Sequence, residues 1–89
     1  MTSHTTQSFR DALAKLPKTI HAQTRSAYRR FRANPHHTGL HFKKVHRTRP
    51  VYSARINDDY RVVGMLDGDE IVWFWIGKHE EYERLLKQL

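Results

Sequence analysis

The sequence predicts a single α+β domain, in which an N-terminal helical hairpin packs on a three- to four-stranded antiparallel sheet and a short C-terminal helix closes the chain. Three observations carry this. Apolar residues recur at helical spacing as far as Phe31, at strand spacing between Leu40 and Ile76, and at helical spacing again from Tyr82 to Leu89. At 89 residues the chain suffices for one domain, taken as 1–89, with no internal repeat or linker. A domain this small buries only about 60–65% of its unfolded surface, so its core is thin.

The elements follow in order. Ser8 to Leu16 reads as a short helix with Phe9, Ala12, Leu13 and Leu16 on one face and Thr5 or Thr6 as its cap. Pro17 closes that segment and suits the first turn of a second helix, where its missing N–H needs no partner. In the second helix Ile20, Thr24, Ala27, Tyr28 and Phe31 form a stripe, Arg25, Arg29, Arg30 and Arg32 lie mostly off it, and Asn34-Pro35 ends it. After a loop at His36 to Gly39, Leu40 to His46 reads as a strand and Arg47 to Pro50 as a connection. Val51 to Ile56 alternates, with Tyr52, Ala54 and Ile56 facing one way and Val51, Ser53 and Arg55 the other. Asn57-Asp58-Asp59 is turn chemistry, Tyr60 to Leu66 the return strand, and Asp67-Gly68-Asp69 a second hairpin turn. Glu70 to Ile76 is apolar on both faces, as a central strand covered on both sides requires, with Trp73 and Trp75 sharing a face. Gly77 breaks that strand, and Glu80 to Leu89 is a helix with Tyr82, Leu85, Leu86 and Leu89 on one side.

Charge is uneven. Residues 1–50 hold eleven Lys/Arg against the single acid Asp11, whereas residues 51–89 hold five against eight acids. The net charge is +7, and all of the excess sits in the first half. Such a surface suits a polyanion, because neutralised phosphates release condensed counterions; RNA affinity should then fall steeply with salt. A solvated helix face or an acidic protein partner would use the same charges. Without cysteine there is no disulfide framework and no thiolate metal site. His36, His37, His41 and His46 match no compact ligand spacing, so neither a metal nor a cofactor is expected. No apolar run approaches the roughly 20 residues that span a bilayer, and Met1 to Gln7 is no signal sequence, so the expected address is the cytoplasm.

Two places suggest chemistry. If the first hairpin turn is the three residues Asn57 to Asp59, Ile56 pairs with Tyr60 and Arg55 with Arg61, and both arginines project from one face within reach of a single phosphate. A two-residue turn would send Arg61 to the other face. Like charges so placed need relief from an anion or from Asp58, Asp59 or Glu70. The second place is Ile76 to Tyr82: His79 lies at a strand end, where an imidazole can give or take a proton or merely cap the helix. Tyr82, one turn later, either stacks on a base or begins the apolar stripe. His41, beside Lys43 and Lys44, is a further candidate base.

The stretch Tyr52 to Val63 (YSARINDDYRVV) resembles the hairpin of RelE/ParE-superfamily toxins, especially the YoeB-like branch of mRNA interferases, whose signature there is aromatic-Ser-x-Arg-Ile, a polar turn, then aromatic-or-His-Arg-Leu/Val-Val. Leu40 to Lys44 is similar to the family's Leu-Lys segment, and Ile76-Gly-Lys-His79 with Tyr82 to its C-terminal basic or His/Tyr site. Helix order and the Leu16-Pro17 junction agree, and the resemblance extends over residues 8–86.

That resemblance implies the toxin of a type II toxin–antitoxin pair, a ribosome-dependent, metal-independent endoribonuclease that cuts mRNA by attack of the ribose 2′-hydroxyl on the adjacent phosphate. Carried over, Arg55 and Arg61 hold the pentacoordinate phosphate and His79 protonates the leaving oxygen. Tyr82 positions a base, Lys43 or Lys44 steers the backbone, and Lys78 adds a basic contact. The implied partners are mRNA on the ribosome and a cognate antitoxin, with no membrane. Two departures stand out. The family's glutamate before the hairpin is missing, since no carboxylate lies between Asp11 and Asp58, and His41 is the nearby replacement. Residues 1–7 are also short and polar for the opening strand of many relatives, which predicts a sheet without that edge. Competing readings are a ParE-like inhibitor of DNA gyrase that cleaves nothing and a degenerate member that only binds RNA or an antitoxin.

Overall fold

In a computed structural model, which describes residues 1–89, the chain runs through β1 (Thr2–Thr5), α1 (Gln7–Ala14), α2 (Lys18–Ala33), a 3₁₀ turn (Thr38–Leu40), β2 (Lys43–Lys44), β3 (Val51–Arg55), β4 (Tyr60–Asp67), β5 (Glu70–Lys78) and α3 (His79–Gln88). Local chemistry explains the helix starts. Thr6 Oγ1 accepts the Phe9 N–H at 3.1 Å and caps α1. Pro17 stands at the cap of α2, just before its first turn. Ile20, Ala27 and Phe31 bury the inner face of α2, while Tyr28, expected in the same stripe, is 46% exposed. His21 Nε2 meets Leu13 O at 2.6 Å and ties the two helices together.

The five strands form one sheet in the order β1-β5-β4-β3-β2, antiparallel except for β1, which runs parallel to β5. The sheet therefore has the edge strand whose absence the short, polar residues 1–7 predict. An edge strand needs one hydrogen-bonded neighbour and no buried face. Thr2 N donates to Asp69 O at 2.9 Å and Thr6 N to Trp73 O at 3.0 Å, and the strand between them stays largely exposed. The opposite edge is shorter than expected. Of the run 40–46 only Lys43–Lys44 is strand, because the 3₁₀ turn ends on His41 in the left-handed region (φ 47°), which interrupts extension.

The β4–β5 turn passes through Gly68 at φ 58°, the conformation its sequence suggested. Four residues before that glycine, the ladder breaks step: Val63 pairs with Trp75 but Gly64 with Trp73, leaving Phe74 as an extra residue in β5. The bulge reverses the side-chain alternation, so Trp73 and Trp75 occupy opposite faces instead of sharing one. Trp73 joins Phe9, Phe31, Leu40 and Ile71 in the core beneath α1 and α2. Trp75 packs with Val51, Val63 and Tyr82 in a smaller core beneath α3. Gly64 makes the bulge possible, since a Cβ there would lie 2.8 Å from the Trp73 ring and 3.0 Å from Val72 O. Gly64→Ala is expected to destabilise the domain by about 1–3 kcal/mol, and an unchanged urea midpoint would contradict the close approach. No helix is long and apolar enough to cross a membrane.

Candidate functional site

The site grows from the β3–β4 turn. Ile56 N donates to Tyr60 O at 3.1 Å, and the ladder sets Arg55 opposite Arg61, so the turn is the three residues Asn57, Asp58 and Asp59. Asn57 shapes it. Its Oδ1 accepts the Asp59 and Tyr60 N–H groups at 2.8 and 2.9 Å, while its Nδ2 donates to Gln23 Oε1 on α2 at 2.6 Å. Alternation along the strands then sends both arginines to the face that carries α3.

Both guanidiniums are occupied by the turn itself. Arg55 Nη2 donates to the Asp58 carboxylate. Arg61 Nη1 donates to the carbonyls of Asn57 at 2.6 Å, Tyr60 at 3.0 Å and Asp58 at 3.4 Å. The like-charge pair is thus relieved by Asp58 and by backbone oxygens; Glu70 lies far along β5, beside His4. The Arg55 hydrogen bond, then the charges of Arg55 and Arg61, hold the Asp58 carboxyl below its ordinary value of 3.8. Since the folded value is depressed, the contribution is present above the ordinary carboxylate range and disappears as pH falls through the lowered value. At neutral pH the pair is intact.

The turn also places α3. His79 N donates to Asp59 O at 2.7 Å, which brings the imidazole beside the arginine pair. Its Nε2 stands 3.4 Å from Glu83 Oε1, one turn along the helix. Between them Tyr82 points inward, only 6% exposed, and its hydroxyl donates to Ser53 Oγ on β3 at 3.0 Å. A cleft of about 430 Å³ results, lined by His41, Lys43, Lys44, Arg55, Arg61, His79 and Glu83, with Ser53 and Tyr82 beneath.

Seven of the eight residues singled out in the sequence therefore line one cleft, Tyr82 as its buried floor, and Lys78 lies outside it. Tyr82 is buried among Val51, Val63 and Trp75, so its ring supports the cleft and offers no face to a base. Lys78 pairs with Tyr60, whose side chain belongs to the core on the other side of the sheet, and it does not line the cleft. Glu83 is a cleft residue that the sequence does not single out by itself, although its i+4 spacing from His79 is a signal of the pair. His37 and His46 serve local structure: His37 Nδ1 accepts from Gly39 N at 3.1 Å, and His46 Nδ1 from Thr48 and Arg49 N at 3.2 and 2.9 Å. No three His, Asp or Glu side chains gather closely enough to hold a metal. A larger cavity of about 720 Å³ lies between α1, α2 and the sheet, but it is mostly apolar and contains no carboxylate. The smaller cleft is the one with convergent acid–base and phosphate-binding groups.

Residues 18–84 match the ParE-like toxin domain family. The chain belongs to that family. Every charged or titratable group lining the cleft of this ParE-like toxin domain falls inside the matched segment, whereas β1 and α1 precede it. Membership of the RelE/ParE superfamily, suggested by the hairpin residues, is thereby shown. No curated protein matches the chain in sequence. Among solved structures, the ParE-like domain resembles a chain of the RelB–RelE antitoxin–toxin complex from Methanococcus jannaschii, at 17% identity and a TM-score of 0.73 over 92% of this chain and 96% of that one. It also resembles the YoeB/ParE toxin from Agrobacterium tumefaciens, at 15% identity and 0.70 over 89% and 99%. A third similar structure is the toxin–antitoxin complex RelBE2 from Mycobacterium tuberculosis, at 24% identity and 0.68 over 88% and 96%. At these identities the likeness concerns the fold.

Proposed function

We propose that this protein is the toxin of a cytoplasmic toxin–antitoxin pair and that it cleaves mRNA on the ribosome. The observation that carries the reading is a single cleft in which two guanidiniums, paired across β3 and β4, stand beside two imidazoles. In this scheme Arg55 exchanges the Asp58 carboxylate for a phosphate oxygen, while Arg61, held at Nη1 by the carbonyls of Asn57, Asp58 and Tyr60, offers its remaining N–H groups, and together they stabilise the pentacoordinate phosphate. His41 takes the proton of the 2′-hydroxyl, and His79 delivers one to the leaving 5′-oxygen. Lys43 and Lys44, on the exposed edge strand, steer the backbone. Tyr82 holds α3 against β3, and the ribosome supplies in-line geometry that so small a domain cannot impose alone. The products are a 2′,3′-cyclic phosphate and a 5′-hydroxyl. The RelB–RelE relatives are described as antitoxin–toxin complexes, which supports a cognate antitoxin for this chain as well.

The test is to incubate the protein with translating ribosomes and map mRNA 5′ ends. Cuts within the A-site codon are expected. Intact mRNA together with inhibited gyrase supercoiling would replace the reading with a gyrase inhibitor, and intact mRNA with neither effect would leave a binding protein. The pairing of Asp58 gives a subsidiary expectation. Asp58→Asn removes the charge that a phosphate must displace from Arg55, so single-stranded RNA should bind severalfold tighter at low salt in fluorescence anisotropy. Unchanged or weaker binding would show that Asp58 does not compete with RNA.

A further inference from the structure

Four permanent cations line the cleft, Lys43, Lys44, Arg55 and Arg61, and Glu83 is its one carboxylate. Yet Glu83 forms an ion-pair contact with none of the four; its partner is His79, at 3.4 Å. The helix sets this choice. His79 and Glu83 are i and i+4 in α3 and leave the same edge of it. That edge is about half exposed, but the intervening Tyr82 is buried and bonded to Ser53 on β3, which turns the His79–Glu83 edge toward the arginine pair.

His79 also stands among charges of both signs, with Glu80 and Glu81 beside it in the first turn of α3. It is the first residue of α3, at the positive end of the helix dipole, and it faces the four cations. A proton donor at this position must nevertheless carry a positive charge. We propose that Glu83 is the positioning residue of the proton donor, holding the His79 imidazolium in the cleft so that its proton reaches the leaving 5′-oxygen. The proposal rests on the nuclease reading above, and the role of the glutamate missing upstream of the hairpin stays with His41. As the 2′-oxygen forms its bond to phosphorus, the P–O5′ bond breaks and its electron pair takes the proton from His79. His79 is left neutral, and Glu83 is neither protonated nor consumed.

The experiment compares two ribosome-bound mRNAs, one ordinary and one with sulfur in place of the 5′-bridging oxygen at the A-site codon. A thiolate leaves without needing a proton. Glu83→Gln is expected to slow single-turnover cleavage of ordinary mRNA by about tenfold, part of the about 10²–10⁴ that a positioned acid contributes, with ribosome affinity unchanged. On the sulfur substrate that defect should shrink to less than about twofold, as should the defect of His79→Ala. Glu83→Asp should recover part of the rate, and Glu80→Gln, on α3 but outside the cleft lining, should match the wild type. A Glu83→Gln defect equal on both substrates, or no defect at all, overturns the role of Glu83 and leaves the nuclease standing. No cleavage by the wild-type protein overturns the nuclease reading and the inference with it.

Discussion

Arg61→Ala is expected to lower the rate of mRNA cleavage by about 10²–10³-fold, the loss that follows removal of a preorganised donor to a developing charge. Arg61 is half-buried, and the carbonyls of Asn57, Asp58 and Tyr60 hold its guanidinium through Nη1, so its position in the cleft is set before any phosphate arrives. Arg61→Lys keeps the charge but loses the planar fork that meets two phosphate oxygens at once, and most of the loss should persist. Stability should change far less. The hydrogen bonds given up connect a partly exposed side chain to a surface turn, a net contribution of about 1 kcal/mol. Single-turnover cleavage paired with urea unfolding separates the two effects. Full activity in Arg61→Ala would remove the arginine pair from the chemistry.

Trp73→Ala should cost about 3–5 kcal/mol, a large share of the roughly 5–15 kcal/mol that stabilises a domain of this kind. The ring is 7% exposed and packs edge-on against Phe31 at 5.5 Å and Phe42 at 6.3 Å between centroids, under both N-terminal helices. The Gly64 backbone lies against one edge of the ring, where a Cβ would come within 2.8 Å of it. Trp75→Ala, in the thinner core beneath α3, should cost less. Thermal or urea unfolding measures both, and a larger loss at Trp75 than at Trp73 would reverse the assignment of the two faces.

The helices and the first hairpin were legible in the sequence because their determinants are local. Helical spacing of Ile20, Ala27 and Phe31 specifies the inner face of α2, and Thr6 and Pro17 mark where the two N-terminal helices begin. The register that pairs Arg55 with Arg61 is decided by Asn57, whose side chain closes a three-residue turn through two backbone N–H groups. Strand β1 was not legible in the same way, because its stability comes from hydrogen bonds to β5, nearly seventy residues away, and not from its own side chains. The bulge escaped because alternation in β5 reads identically with or without an extra residue, until Gly64 meets the Trp73 ring.

What the sequence by itself determined about this protein is therefore a basic, two-arginine hairpin followed by a histidine at the head of a helix. Only the tertiary structure decided which groups share the cleft. It buried Tyr82 against Ser53, turned Lys78 to the other side of the sheet, and brought Glu83 beside His79. The physical reason is that spacing along a chain specifies which face of an element a residue occupies, whereas a site depends on which faces meet. That meeting is set by the bulge, the parallel edge strand and the docking of α3 through a single buried tyrosine.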